Sequence, residues 1–153
     1  MFEELTNPYT QSIKTSIENC GNSIAFLHTC ASLPKLLLLG EQTIGTDDIK
    51  FFSFTLNEAG LETKTAAYLA CANIDMLAAI EGIDPLQIIC TDLYSCKKIF
   101  ETYNAQVPKD QFTRGVCIIF GRRTLLFSNL KQSYIADRPK TLEKLINWAS
   151  SPQ

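Results

Sequence analysis

Four consecutive leucines, Leu36 to Leu39, run without a polar interruption into Gly40-Glu41. A strand with one wet face alternates apolar and polar residues, because successive side chains point to opposite faces. A strand that is apolar at every position must be covered on both sides, as in a parallel sheet sheathed by helices. This run therefore predicts a central strand in an α/β layer structure. Ligands of open α/β sheets bind beyond the carboxyl ends of the strands. The loop Gly40-Glu41-Gln42-Thr43-Ile44-Gly45 is then the first place to look for chemistry.

The rest of the chain supplies matching pieces. Residues 1–8 read as an extended lead-in. Thr10 to Asn19 places Ile13 and Ile17 on one helical face, and Cys20-Gly21-Asn22 stops it. The apolar stretch Ser23–Ser32 reads as a second helix or a buried connector, ended by Pro34. Thr46 or Asp47 caps a helix to Ala59, with Ile49, Phe52, Leu56 and Ala59 on one side and Gly60 beyond it. Thr65–Cys71 is a second buried strand. A short helix starts at Asn73 or Asp75 and closes at Gly82. Leu86–Cys90 is a third strand, and Asp92 caps a helix to Tyr103. Residues 104–114 are polar and contain Pro108, so they read as a loop. Val116–Phe120 and Arg123–Phe127 form a hairpin around Gly121-Arg122. Ser128–Arg138 reads as a polar loop, and Pro139 opens a last helix to Trp148. Strands that alternate with helices imply right-handed crossovers. The expected fold is a single domain over residues 1–153: a three-layer α/β/α sandwich with a mostly parallel central sheet, its core at 35–148.

Several chemistries are disfavoured by the residues present. A net charge of −2 and a pI near 5.4 oppose nucleic-acid binding through bulk charge. Arg114, Arg122, Arg123, Lys131, Arg138 and Lys140 leave room for a local basic face, although only Phe112 and Tyr134 offer stacking beside it. The six cysteines contain no C-x-x-C pair and mostly lie in apolar runs, as buried thiols of a reducing cytoplasm do. With one histidine, His28, neither a metal site nor a cysteine–histidine pair is expected. Gly40 and Gly45 lack the lysine and third glycine of a phosphate loop, and no G-x-S-x-G elbow occurs. Glu41, Asp47, Asp48 and Asp92 remain as acids beyond strand ends. They suit acid–base work, or simply the capping of helices. The acidic start Met1-Phe2-Glu3-Glu4 carries no signal-peptide core, and no apolar run approaches the ~18 residues of a membrane span.

The run Leu-Leu-Leu-Leu-Gly-Glu, the helix and Gly60-Leu61 after it, and the strand entry Asp84-Pro85-Leu86-Gln87-Ile88-Ile89 resemble the uracil-DNA glycosylase superfamily. So does the ending Ser133-Tyr134-Ile135-Ala136-Asp137-Arg138-Pro139-Lys140, followed by a helix bearing Trp148. The resemblance spans roughly residues 35–148 and implies a uracil-DNA glycosylase-like fold. Two departures bear on activity. The first loop lacks the proline of the glycosylases' Gly-Glu-x-Pro-Gly, and Asn129-Leu130-Lys131-Gln132 stands where they carry a histidine near Ser133. Loss of such an oxyanion donor costs about 10²–10³ in rate. The iron–sulfur cysteine spacing of some members is also missing. Gly40, Glu41, Gln42, Asn129 and Ser133 then read as vestigial pocket loops.

The same superfamily holds the psi subunit of the bacterial DNA polymerase III clamp loader, a non-catalytic member, and the chain is most similar in character to that branch. The resemblance implies a cytoplasmic adaptor without a cofactor, whose protein partners are the clamp-loader core and the chi subunit. Residues 1–20 would be the core-binding segment, with Phe2, Leu5, Tyr9, Ile13 and Ile17 as a helical stripe that orders on binding. That stripe could equally pack on its own domain. The alternatives are a base-acting glycosylase-like enzyme, and a small-ligand or nucleotide-binding domain of flavodoxin-like order.

Overall fold

The computed structural model describes residues 23–27, 34–103, 115–119 and 121–150. The expected first helix, the stripe Phe2, Leu5, Tyr9, Ile13 and Ile17, and His28 lie outside these residues. Among the described residues the fold is α/β, with one mixed six-stranded sheet and five helices. In chain order these are β1 (Ile24–Phe26), β2 (Leu36–Gly40), α1 (Thr46–Glu58), β3 (Ala66–Ala70), α2 (Met76–Ile83) and β4 (Gln87–Cys90). There follow α3 (Leu93–Thr102), β5 (Val116–Ile119), β6 (Arg122–Leu126), α4 (Leu130–Ala136) and α5 (Arg138–Ser150).

Across the sheet the order is β1-β3-β2-β4-β6-β5. The four inner strands pair in parallel, and β1 and β5 close the two edges antiparallel. The leucine run lies between β3 and β4, with Leu38 opposite Tyr68 on one side and Ile89 on the other. Its alternate side chains feed two cores. Leu37 and Leu39 join Ala67, Leu69, Ile80 and Ile99 on the face carrying α2 and α3. Leu36 and Leu38 join Phe52, Leu56, Leu145 and Trp148 on the face carrying α1 and α5. Leu37, Leu38 and Leu39 are fully buried, and each such side chain contributes about 1.5–3 kcal/mol of transfer free energy. The free thiols Cys71, Cys90, Cys96 and Cys117 are buried with them.

Several local expectations are corrected. The stretch from Ser23 is neither helix nor plain connector where it is described: Ile24–Phe26 is an edge strand, held by pairing to Ala67–Leu69 of β3. The polar segment after Phe127 is not a loop but contains α4, capped by the Asn129 side chain, which accepts from the Gln132 N–H at 3.0 Å. Gly45, not Thr46 or Asp47, occupies the N-cap of α1, without a side-chain bond; Asp47 and Asp48 sit in its first turn, where carboxylates favour the dipole. Gly82 lies inside α2, which Asp84 ends in a left-handed conformation at φ 54°.

Of the cations read as a local basic face, Arg114 lies outside the described residues, as does Phe112, and four of the others have partners within the fold. Arg122 is buried between Glu81 and Asp84 at 2.8 and 2.7 Å. Arg123 lies over the Trp148 ring and donates to the Trp148 carbonyl. Lys131 pairs with Asp48, and Arg138 with Glu58. These contacts tie elements of the fold together. Among the described residues no helix is long and apolar enough to cross a membrane.

Candidate functional site

The crossover from β2 runs through α1 to β3 on one side, while that from β4 runs through α3 toward β5 and β6 on the other. The strand order therefore switches between β2 and β4, the place where such sheets open a crevice. Its rim is formed by Gly40, Glu41 and Gln42 after β2, by Thr91 and Asp92 after β4, and by Asn129 after β6.

Asp92 occupies the centre of this rim. One carboxylate oxygen accepts from the Ser95 N–H at 2.9 Å and caps α3; the other accepts from the Glu41 N–H at 2.8 Å, across the switch point. Asp92 also bridges Asn129 in the backbone, and the Leu130 N–H donates to the Thr91 carbonyl at 2.9 Å. The Thr91 hydroxyl and N–H both donate to the Leu39 carbonyl at 2.8 Å. Each oxygen of this carboxylate therefore holds a backbone N–H of a different element, which fastens the loop after β2 to the start of α3.

The neighbouring groups are similarly occupied. Tyr68 reaches from β3 beneath Gly40 and donates to the Gln42 carbonyl at 2.6 Å. A Cβ on residue 40 would overlap the phenol ring, which explains the glycine that ends the leucine run. Burial, and then the charge of Asp92, pushes the Tyr68 phenol up, so it stays a donor. Burial pushes the Cys71 thiol up to about 11, with Lys98 only partly opposing it. A thiol so disposed is a poor nucleophile near neutral pH. Lys98 itself is spent on the carbonyls of Cys71 and Ile74.

The structure thus brings Gly40, Glu41, Gln42 and Asn129 to one rim and takes Ser133 away from it. Ser133 lies on α4, where its N–H donates to the Asn129 carbonyl and its side lines a different feature. That feature is an open groove of about 680 Å³ between α4 and α5, with Phe127 in its lining. It contains Lys144, which the sequence did not single out. Lys140, Lys144 and Asn147 share one face of α5 at helical spacing, the one signal that could have pointed there.

Comparison with known proteins finds no matching family model and no matching curated protein.

Proposed function

We propose that this chain is a non-catalytic, cytoplasmic protein–protein adaptor of the bacterial replication machinery, similar to the psi subunit of the DNA polymerase III clamp loader. On this reading the mixed sheet is a uracil-DNA glycosylase-like three-layer sandwich, dominated by its parallel inner strands. The observation that carries the non-catalytic part is the hydrogen bond from the Glu41 N–H to Asp92 at 2.8 Å. It spends the central acid of the crevice on holding β2 and β4 together. Asn129, in the stretch Asn129–Gln132 that stands where the glycosylases carry a histidine near Ser133, is spent on capping α4. Two of the rim's polar side chains, Asp92 and Asn129, are thus tied into the fold's own hydrogen bonds.

Residues 1–20, with Phe2, Leu5, Tyr9, Ile13 and Ile17, are the segment we assign to the clamp-loader core, and the folded α/β body to the chi subunit. The test is size-exclusion co-elution of the purified chain with chi and, separately, with the clamp-loader core. Co-elution with both is expected, and deletion of residues 1–20 should abolish only the second. A chain that elutes alone from both mixtures overturns the adaptor reading. Release of uracil from uracil-containing DNA would overturn the non-catalytic part.

A further inference from the structure

The groove between α4 and α5 holds a cation that the fold half-buries with no paired carboxylate among the described residues. The Lys144 ammonium donates to the Leu126 carbonyl at 2.6 Å and lies 4.1 Å from the centroid of the Phe127 ring. Gly115 makes room for it: its φ is +75°, and a Cβ there would collide with the end of the lysine and with the Leu126 carbonyl. The start of β5 is therefore shaped around the amine. Yet among the described residues the acids Glu58, Glu81, Asp84 and Asp48 are paired with other cations, and none is paired with Lys144. Loss of solvation pulls the pKa of the ammonium down. A carbonyl and a ring face restore part of its hydration and the nearby Cys96 thiol favours its charged form, but no carboxylate among the described residues is paired with it.

The surroundings define what would complete the site. Lys140 and Asn147 flank Lys144 on α5, and Ser133 and Ala136 face them from α4. Two acids also line the groove. Asp137 is already committed, accepting from the Lys140 N–H at 3.1 Å to cap the first turn of α5, and Glu143 is exposed. A phosphate is best held by a guanidinium fork or several converging N–H groups. Among the described residues no arginine lines this groove, and the Asp137 cap occupies the first turn of α5. The half-buried Lys144 ammonium beside apolar surface suits one carboxylate with an apolar neighbour. The face from Lys140 to Asn147 is about 10 Å long, the reach of about three extended residues.

We propose that the α4–α5 groove docks an acidic segment of a partner protein, with one carboxylate taking Lys144 as its counter-ion and an adjoining apolar side chain lying against Phe127 and Ala136. The inference goes beyond the adaptor reading and stands without the replication assignment, since it rests on the groove alone.

The test uses the full chain and a fluorescein-labelled peptide of about six residues that alternates glutamate and phenylalanine, with a glutamine-for-glutamate control. Fluorescence polarisation should show the acidic peptide binding at least about tenfold more tightly than the control, with the difference shrinking at high salt. Lys144→Met and Ala136→Trp should each weaken binding by about tenfold or more, the first by removing charge and the second by filling the groove. Ala136 is exposed, so its variant should melt at the parent temperature and separates docking from folding. Equal binding of the control peptide, or an affinity indifferent to both substitutions, overturns the proposal. Displacement of the peptide by an oligothymidylate at similar concentration also overturns it and reassigns the groove to nucleic acid.

Discussion

The crevice beyond β2 and β4 and the groove between α4 and α5 treat their central charges in opposite ways. In the crevice, the Asp92 carboxylate is satisfied by two backbone N–H groups from different elements. In the groove, the Lys144 ammonium has a carbonyl and an aromatic face but, among the described residues, no paired carboxylate. A satisfied charge is a fastening, because moving it away costs its hydrogen bonds. A half-buried charge without a counter-ion keeps an unspent affinity for one. At the place where fold-level reasoning expects a ligand, the central acid is held by the chain itself, while the groove keeps its cation without a paired carboxylate among the described residues.

Substitution of Gly115 should give the largest effect on this comparison. Gly115→Ala adds a left-handed penalty of about 1–2 kcal/mol to overpacking of about 1–3 kcal/mol against the lysine and the Leu126 carbonyl. Urea unfolding should report a loss of about 3 kcal/mol. A loss below ~1 kcal/mol would mean that the amine is not seated against this glycine.

Asp92→Ala comes next, at about 2 kcal/mol from one lost cap and one unmade bond. Amide exchange at Glu41 and Ser95 should accelerate together, because one side chain protects both. Faster exchange at Ser95 alone would show that the two sides of the crevice are not joined.

The smallest effect is a pair of opposed pH slopes. The Cys71 thiol is raised to about 11 by burial. The unfolded chain therefore gives up this proton first, from about pH 8.5, and stability falls as pH climbs toward the folded value. Lys144 is lowered, so the folded state sheds its proton first. The cost of its charge is present at neutral pH and is relieved as pH rises from its lowered value toward about 10.4. Urea midpoints between about pH 7 and 10 should then decline less steeply in Cys71→Ala and more steeply in Lys144→Met. Slopes parallel to the parent in both variants would remove the distinction between the two regions.

Much of the frame was legible. The buried inner strands announced themselves as unbroken apolar runs, and Asp92 was readable as the cap of α3. Two elements were not. β1 spans three residues, too few for any period, and its strand character comes from pairing with β3. α4 buries only Leu130, so it lacks an amphipathic pattern, although Asn129 followed by Gln132 carried a faint capping signal. The rim residues Gly40, Glu41, Gln42 and Asn129 were found together, while Ser133 was placed with them and belongs to the groove.

By itself the sequence determined that this chain builds a sheet covered on both faces, because four leucines in a row leave no side for water. It also marked some of the boundaries, since Gly60 and the Asp92 cap act on their immediate neighbours, though Gly82 and Thr46 did not. Only the tertiary structure decided what the acids and cations do. Whether a carboxylate catalyses or fastens depends on which distant N–H groups reach it, as Glu41 reaches Asp92 across 51 positions. Whether a lysine is solvated or half-buried depends on a glycine, a carbonyl and a ring brought together from 115, 126 and 127. Charge is felt through space, and no spacing along the chain encodes it.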